Sequence, residues 1–166
     1  VYFGSQFVHK STTRGADWEI ISPDLTTNDT AHQKAHISGG LTFDVTGAEN
    51  YTTIIAIVPS TLEKNVLWVG TDDGNVQLTR DGGKTWKNVS NGIKNFPKGG
   101  WIPHIHVSEI NKGEAFVVMN DYRRNNWKPY LFHTKDYGKT FTSLVTEAQV
   151  SGYTMSVIQD SEQENL

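Results

Sequence analysis

One eight-residue pattern recurs along this chain, and it constrains the fold more than any other signal. Thr79-Arg80-Asp81-Gly82-Gly83-Lys84-Thr85-Trp86 returns 55 residues later as Thr134-Lys135-Asp136-Tyr137-Gly138-Lys139-Thr140-Phe141. Both copies read hydroxyl, x, Asp, x, Gly, x, Thr, aromatic. A worn copy, Ser11-Thr12-Thr13-Arg14-Gly15-Ala16-Asp17-Trp18, precedes the first by 68 residues. Internal repetition on this scale marks an array of small units that bury their faces against one another.

Each octet has the composition of a hairpin turn. Asp81 and Asp136 stand where a short carboxylate accepts backbone N–H groups of the turn. Gly83, Gly138 and Gly15 stand where the chain needs positive φ. Thr85 and Thr140 can tie the following strand back to the turn. Trp86, Phe141 and Trp18 then offer a ring to bury against a neighbouring layer. The worn copy keeps Ser11, Gly15 and Trp18 but has Thr13 in place of the carboxylate, so geometry persists where the acid is gone. The octets, with Thr79 and Thr134 as their leading hydroxyls, are therefore read as structural corners rather than catalytic acids.

The octet resembles the Asp-box, the S-x-D-x-G-x-T-W turn of bacterial neuraminidase-type repeats. The longer run Val69-Gly70-Thr71-Asp72-Asp73-Gly74, followed by Gln77-Leu78-Thr79 and the octet, is similar to the sortilin-like and exo-sialidase-like repeat group. That resemblance implies an all-β protein built from four-stranded antiparallel propeller blades. It also implies binding of protein or peptide, and a secreted or periplasmic setting.

Alternating apolar and polar residues between turn signals predict the strands. Strands at Val1–Ser5, Phe7–Lys10 and Trp18–Ile21 form a unit without its first strand, within residues 1–21. A long link covers 22–51. One blade covers 52–90, with strands at Thr53–Pro59, Leu67–Thr71, Val76–Arg80 and Thr85–Val89. Another covers 101–146, with strands at Ile102–Ser108, Ala115–Asn120, Tyr130–Thr134 and Thr140–Val145. Tyr153–Gln159 reads as a first strand without followers. Closed propellers use about four to eight blades, so three blades read as part of a larger propeller. Exposed blade edges predict association of the chain with copies of itself.

In a four-stranded blade the turn between the third and fourth strands lies on one rim. The turn between the second and third strands, and the links between blades, lie on the other. Recognition is expected on that second rim, where loops vary over a rigid scaffold. Three segments fall there: the link 22–51, the turn Asp72-Asp73-Gly74-Asn75, and Asn120 to Lys128. In the last, Tyr122 and Trp127 offer flat rings for stacking on a sugar, Arg123 and Arg124 can fork onto carboxylates, and Asp121 supplies an acceptor. Trp101 and His104 adjoin it.

Glycoside hydrolysis needs two carboxyl groups across the scissile bond, and Asp44, Asp72, Asp73 and Asp121 are the candidates for that chemistry. Asp72-Asp73-Gly74 is also a common hairpin turn; the alternative is a carboxylate pair facing the central funnel, with one pKa raised. Only Arg14, Arg80, Arg123 and Arg124 are present, two of them in octets, which leaves no complete sialidase set. His104 and His106 share one face of a strand, and His32 and His36 would pair only across a helix turn, so no metal set with characteristic spacing is visible. No cofactor is called for.

Lys and Arg number 15 against 18 Asp and Glu, a formal net charge of −3. That balance argues against a nucleic-acid partner. No apolar run is long enough to insert in a membrane as a helix. The leading functional expectation is a binding or scaffold module that recognises a protein, peptide or glycan through the loops opposite the octets. The alternative is part of a glycoside hydrolase acting on polysaccharide.

Overall fold

A computed structural model describes residues 1–34 and 51–163. The described chain is almost entirely β, with eleven strands in three antiparallel sheets. The first sheet holds β1 (Tyr2–Gly4), β2 (Val8–Lys10) and β3 (Glu19–Ile20), in that order. The second holds β4 (Ile54–Pro59), β5 (Leu67–Thr71), β6 (Val76–Thr79) and β7 (Lys87–Asn88). The third holds β8 (Trp101–Val107), β9 (Ala115–Asp121), β10 (Asn126–Thr134) and β11 (Thr142–Ser143). Each sheet is a meander in chain order. Helical structure is confined to short 3-10 turns such as Ser90–Gly92 and Tyr122–Arg124. Among the described residues no helix is long and apolar enough to cross a membrane.

The sheets stack face to face. One apolar cluster (Val8, Leu25, Ile54, Leu67, Val69) joins the first sheet to the second, and Ile21, Ile57 and Trp86 pack against it. A larger one, containing Trp68, Val76, Leu78, Ile102, Ile105, Val117 and Phe132, joins the second to the third. Both joints use the same lock. Gly4 in β1 leaves no room for a Cβ: such an atom would stand 2.8 Å from Ile54 Cγ2. Gly70 in β5 does the same for Ile102, at 2.6 Å. Register shows these to be equivalent positions. Gly4 pairs with Val8 and Gly70 with Val76, each one rung before the turn into the third strand.

The three octets close the last turn of each sheet, between β2 and β3, β6 and β7, and β10 and β11. Gly83 N–H donates to Thr79 Oγ1 at 2.9 Å, Gly138 N–H to Thr134 Oγ1 at 3.0 Å, and Gly15 N–H to Ser11 Oγ at 2.7 Å. The carboxylates accept across the turn. Thr85 N–H donates to Asp81 Oδ1 and Thr140 N–H to Asp136 Oδ1, both at 2.9 Å. In the worn copy Asp17 N–H finds the Thr13 hydroxyl at 2.9 Å, so a neutral oxygen replaces the acid. Gly15, Gly83 and Gly138 have φ of 95°, 101° and 71°. The preceding residue is also left-handed in every copy: Arg14 (58°), Gly82 (77°) and Tyr137 (59°).

Two expectations are corrected here. Trp18 is 45 % exposed, its ring edge-on to Phe3 at 6.1 Å, whereas the equivalent Trp86 and Phe141 are half-buried against the preceding sheet. Trp18 thus meets Phe3 of its own sheet, where Trp86 and Phe141 meet the sheet before theirs. Tyr153–Gln159 forms no ladder. It lies instead across the third sheet, where Tyr130 N–H donates to Thr154 Oγ1 at 3.2 Å and Val157 N–H donates to His104 Nδ1 at 3.3 Å. A first strand needs a second strand beside it, and no described segment supplies one.

Two predictions follow from these joints. Replacing Gly70 with Ala should cost about 1–3 kcal/mol through overpacking, read as a lower denaturant midpoint. Ile102→Ala in the same chain should recover part of that loss, since the Ile102 methyl is the clashing group. The four bonds around each octet carboxylate hold Asp81 and Asp136 down to about 2 from 3.8, the Thr85 hydroxyl leading for Asp81 and the Thr140 amide for Asp136. Their stabilisation is present above pH 4 and lost as pH falls from about 4 toward 2. An acid titration of Asp81→Asn, followed by circular dichroism, should show a weaker loss across that window than the parent.

Candidate functional site

The rim opposite the octets carries the turn between β5 and β6, the turn between β9 and β10, and the links that enter β4 and β8. The link after β3 is stitched down first. Asn75 Nδ2 and Gln77 Nε2 both donate to Leu25 O, at 3.0 and 2.9 Å. Thr27 donates to Asp73 Oδ2 through its amide (2.6 Å) and its hydroxyl (2.8 Å), and Thr71 Oγ1 donates to Asp73 Oδ1 at 2.5 Å. Asp72 Oδ1 accepts Thr53 N–H at 2.8 Å, where the chain enters β4. Both carboxylates are buried, 4 % and 3 % exposed. They therefore do not face an open funnel: they clamp two points of the link between β3 and β4 to one hairpin.

That clamp has an electrostatic cost. Burial pushes Asp72 up to about 6, with the Asp73 charge adding and the Thr53 amide opposing. Tyr51 lies close by, and burial together with Asp73 and Asp72 pushes its hydroxyl up to about 12. Beside it His32 packs at 5.5 Å ring to ring and pairs with Asp29 through Nδ1 at 2.7 Å. The His32 bond holds the Asp29 carboxyl below its usual value. Residues 30–33 form an isolated turn. His36 and Asp44 lie outside the described residues.

The third sheet contributes the aromatic part of the rim. Asp121 is 7 % exposed; its Oδ1 accepts Arg124 Nε at 2.5 Å and its Oδ2 accepts Asn126 Nδ2 at 3.0 Å. Arg124 Nη1 also donates to Lys98 O at 2.7 Å, so this arginine holds the link into β8. Arg123 lies flat over Trp101, 3.4 Å from the ring centre, and 4.5 Å from that of Tyr122. Tyr122, Trp127 and Tyr153 form one cluster, with centroids 4.7 Å apart for Tyr122–Tyr153, 5.7 Å for Trp127–Tyr153 and 6.1 Å for Tyr122–Trp127. Trp127 is 54 % exposed, and its Nε1 donates to Asn125 Oδ1 at 2.9 Å, which fixes the ring.

The loop residues expected to act together thus divide into two groups. Tyr122, Arg123, Trp101 and Trp127 form a platform open to solvent. Asp121 and Arg124 engage each other and brace the loop. His104 stands apart, its Nδ1 accepting the Val157 amide on the face of the third sheet. His106 on the same strand is shifted down by burial and then by His104. Among the described residues no group of three His, Cys, Asp or Glu side chains is placed to hold a metal.

Sequence reasoning missed Tyr153 and Tyr51. A signal for Tyr153 exists. Ser108 Oγ accepts the amides of Ile110 and Asn111 just after β8, and Asp160 Oδ1 accepts those of Glu162 and Gln163 in the same way, so counting back from these caps aligns Thr154 with Ile102, the residue that fills Gly70. Trp101 immediately precedes Ile102, and Tyr153 immediately precedes Thr154. Both rings fall where a first strand leaves this rim. Tyr51 carries no such signal, because the groups that act on it, Asp73, Asp72 and His32, come from other segments.

The comparisons with known proteins bear on the fold. No protein-family model matches the chain, and no curated protein matches it. Solved structures do. An ancestral GH74 enzyme is 14 % identical, with a TM-score of 0.55 over 84 % of this chain. YCF48 from Cyanidioschyzon merolae is 22 % identical, covering 60 % of this chain and 26 % of its own, with a TM-score of 0.42. The fold is that of β-propeller blades. This chain spans 15 % of the length of the GH74 enzyme, so it corresponds to a set of blades rather than to that whole protein.

The buried clamp gives a pH prediction opposite in sign to that of the octets. Asp72 is raised in the folded state, so its contribution is most favourable below pH 4 and is lost as pH rises through about 6. Between pH 4 and 7 the Asp72→Asn variant should show a flatter dependence of melting temperature on pH than the parent.

Proposed function

We propose that this chain is a ligand-recognition module of an Asp-box β-propeller protein, and that it binds through the rim opposite the octets. The observation that carries this reading is the Tyr122–Trp127–Tyr153 platform. Large rings held at fixed angles, with Trp127 more than half exposed, offer apolar area with little ordering cost on binding. Such surfaces stack on the flat faces of sugar rings, and the Arg123 guanidinium beside them can donate to a carboxylate or carbonyl oxygen of the same ligand. A glycan suits this platform best; an extended peptide with aromatic or acidic residues is the second occupant.

The octets sit on the other rim with their oxygens engaged by their own turns, which supports the structural role that the Asp-box resemblance implies. Asp72 is the one observation favouring a glycoside hydrolase. A carboxyl titrating near 6 suits a general acid, and a GH74 enzyme shares the fold. Against it, Asp72 and Asp73 are buried and their oxygens hold the link into β4, so a substrate would have to displace the bonds that order the rim.

A glycan and peptide array tests the binding reading. Hits should weaken about 2- to 10-fold with Trp127→Ala, the range expected for one aromatic contact, while Asp81→Asn leaves them unchanged above pH 5. Hits insensitive to Trp127→Ala would remove the platform from the account. Turnover of aryl glycosides that disappears in Asp72→Asn but survives in Trp127→Ala would favour the hydrolase instead.

A further inference from the structure

We propose that the groove between the second and third sheets, on the octet rim, is a binding site for a sugar ring that carries a sulfate or phosphate ester. The octet pattern itself points there. Its leading hydroxyl, its Asp and its Thr are spent on the turn, as the bonds to Asp81 and Asp136 show. The intervening positions carry no such duty. Three of them, Arg80 of one octet and Tyr137 and Lys139 of the next, line a cavity of about 230 Å³ together with Thr85, Trp86 and Lys87. One wall comes from β7 and the turn that precedes it, the other from the turn between β10 and β11. The cavity is thus enclosed by two sheets that this chain itself supplies.

Tyr137 is the fixed part of the site. Its φ is 59°, in the left-handed region where Gly82 stands in the preceding octet, and a bulky residue there is strained. Three contacts hold it. Its hydroxyl donates to the Glu63 carboxylate, 2.9 and 2.8 Å from the two oxygens. Gly113 leaves room for the ring, since a Cβ there would stand 2.6 Å from Tyr137 Cε2. Arg80 lies over the ring, its Cζ 3.7 Å from the centre. Stacking uses the face of a guanidinium and leaves N–H groups along its edge for a ligand. Trp86 is fixed as well: its Nε1 donates to Ile21 O at 3.0 Å and to Gly83 O at 3.1 Å.

Positive charge is left over in this groove. Arg80, Lys87 and Lys139 are exposed, and among the described residues none of the three forms an ion pair. Glu63 is engaged by Tyr137, and Asp81 and Asp136 by their own turns. The cations do not come with the repeat. Where the first sheet meets the second, the equivalents of Arg80, Lys87, Tyr137 and Lys139 are Thr12, Glu19, Gly82 and Lys84. That joint lacks two of the cations and the ring, and has an acid in place of Lys87.

The ligand class follows from these groups. Cations from separate segments around one small cavity match a tetrahedral ester, whose free oxygens point in several directions, better than a planar carboxylate. Trp86 and Tyr137 offer ring surface to the body of the ligand. Thr85 selects a sugar as that body. Its hydroxyl donates to Asp81 Oδ2 at 2.6 Å, which leaves its oxygen as an acceptor for a ligand hydroxyl. A sugar carries such hydroxyls and an aryl ester does not. The site lies on the rim opposite the Tyr122–Trp127–Tyr153 platform and stands independently of it.

Isothermal titration calorimetry at low salt tests the proposal, with glucose monosulfate and glucose monophosphate as probes. Glucose, glucuronate, phenyl phosphate and inorganic phosphate are the comparison compounds. At least one glucose ester should bind more tightly than all four, and the tighter ester identifies the ligand's source as sulfated or phosphorylated sugar. Its affinity should fall as salt is raised. Lys87→Glu, which copies the residue type of Glu19, should weaken binding about tenfold or more, as expected when a charge-assisted hydrogen bond becomes a repulsion. Lys139→Gln should weaken it in the same direction, and carries the test should Lys87→Glu alter the circular dichroism. Lys84→Gln, outside the cavity, and Trp127→Ala, on the other rim, should leave it unchanged. Esters that bind no more tightly than glucose, phenyl phosphate or glucuronate binding as tightly as the esters, or a loss in Lys84→Gln equal to that in Lys87→Glu would each overturn the proposal.

Discussion

The structure depends on the close approach of successive sheets at Gly4 and Gly70. A β-sheet face covered evenly with side chains keeps its neighbour about 10 Å away. Here a hole opens in β1 and in β5, and an isoleucine at the start of the next sheet, Ile54 or Ile102, drops into it. That contact fixes the distance between sheets and the depth at which each first strand sits. It also fixes which rim the intervening links occupy, since Ile54 and Ile102 lie at the ends of those links. The buried clusters on either side are a consequence of this spacing.

The octets work in a different dimension. They set no distance between sheets by themselves; they turn the chain tightly enough for the fourth strand to lie flat. Each leading hydroxyl accepts the glycine amide, and each carboxylate, or the Thr13 hydroxyl in its place, accepts an amide at the end of the turn. The exchange of an acid for a hydroxyl without loss of the turn shows that the acceptor, not the charge, is what the geometry requires. The charge adds a dependence on pH, opposite in sign to that of the buried Asp72.

Much of this was legible in the sequence. The octets located the turns, and the alternating runs placed eleven strands to within a few residues at most ends. Fourth strands came out shorter than expected, as two-residue pairs, because little lies outside them to extend the ladder. The last segment was read as a strand from its own residues, but a ladder is a property of two segments. Trp18 was expected to be buried because its repeat mates are; burial needs a neighbour that the residue itself does not encode. The site was less legible. Asp72 and Asp73 were weighed as a turn or as an acid pair. Their engagement with Thr27 and Thr53 arises from a link whose path no local pattern announces. The Tyr122 and Trp127 rings were visible, while their partner Tyr153 lay hidden in a segment read only for its strand phase.

The lock between sheets changes at the third one. Val118 stands in β9 where Gly4 and Gly70 stand before it, and Thr154 stands where Ile54 and Ile102 would. The receiving position has gone from glycine to valine and the incoming one from isoleucine to threonine. The units are consequently not interchangeable parts. A duplication or shuffling of this gene that set the third unit ahead of the second would bring Val118 up against Ile54, branched methyls against branched methyls. The linear order of the array is thus recorded in steric complementarity, and recombination among the repeats is filtered by it.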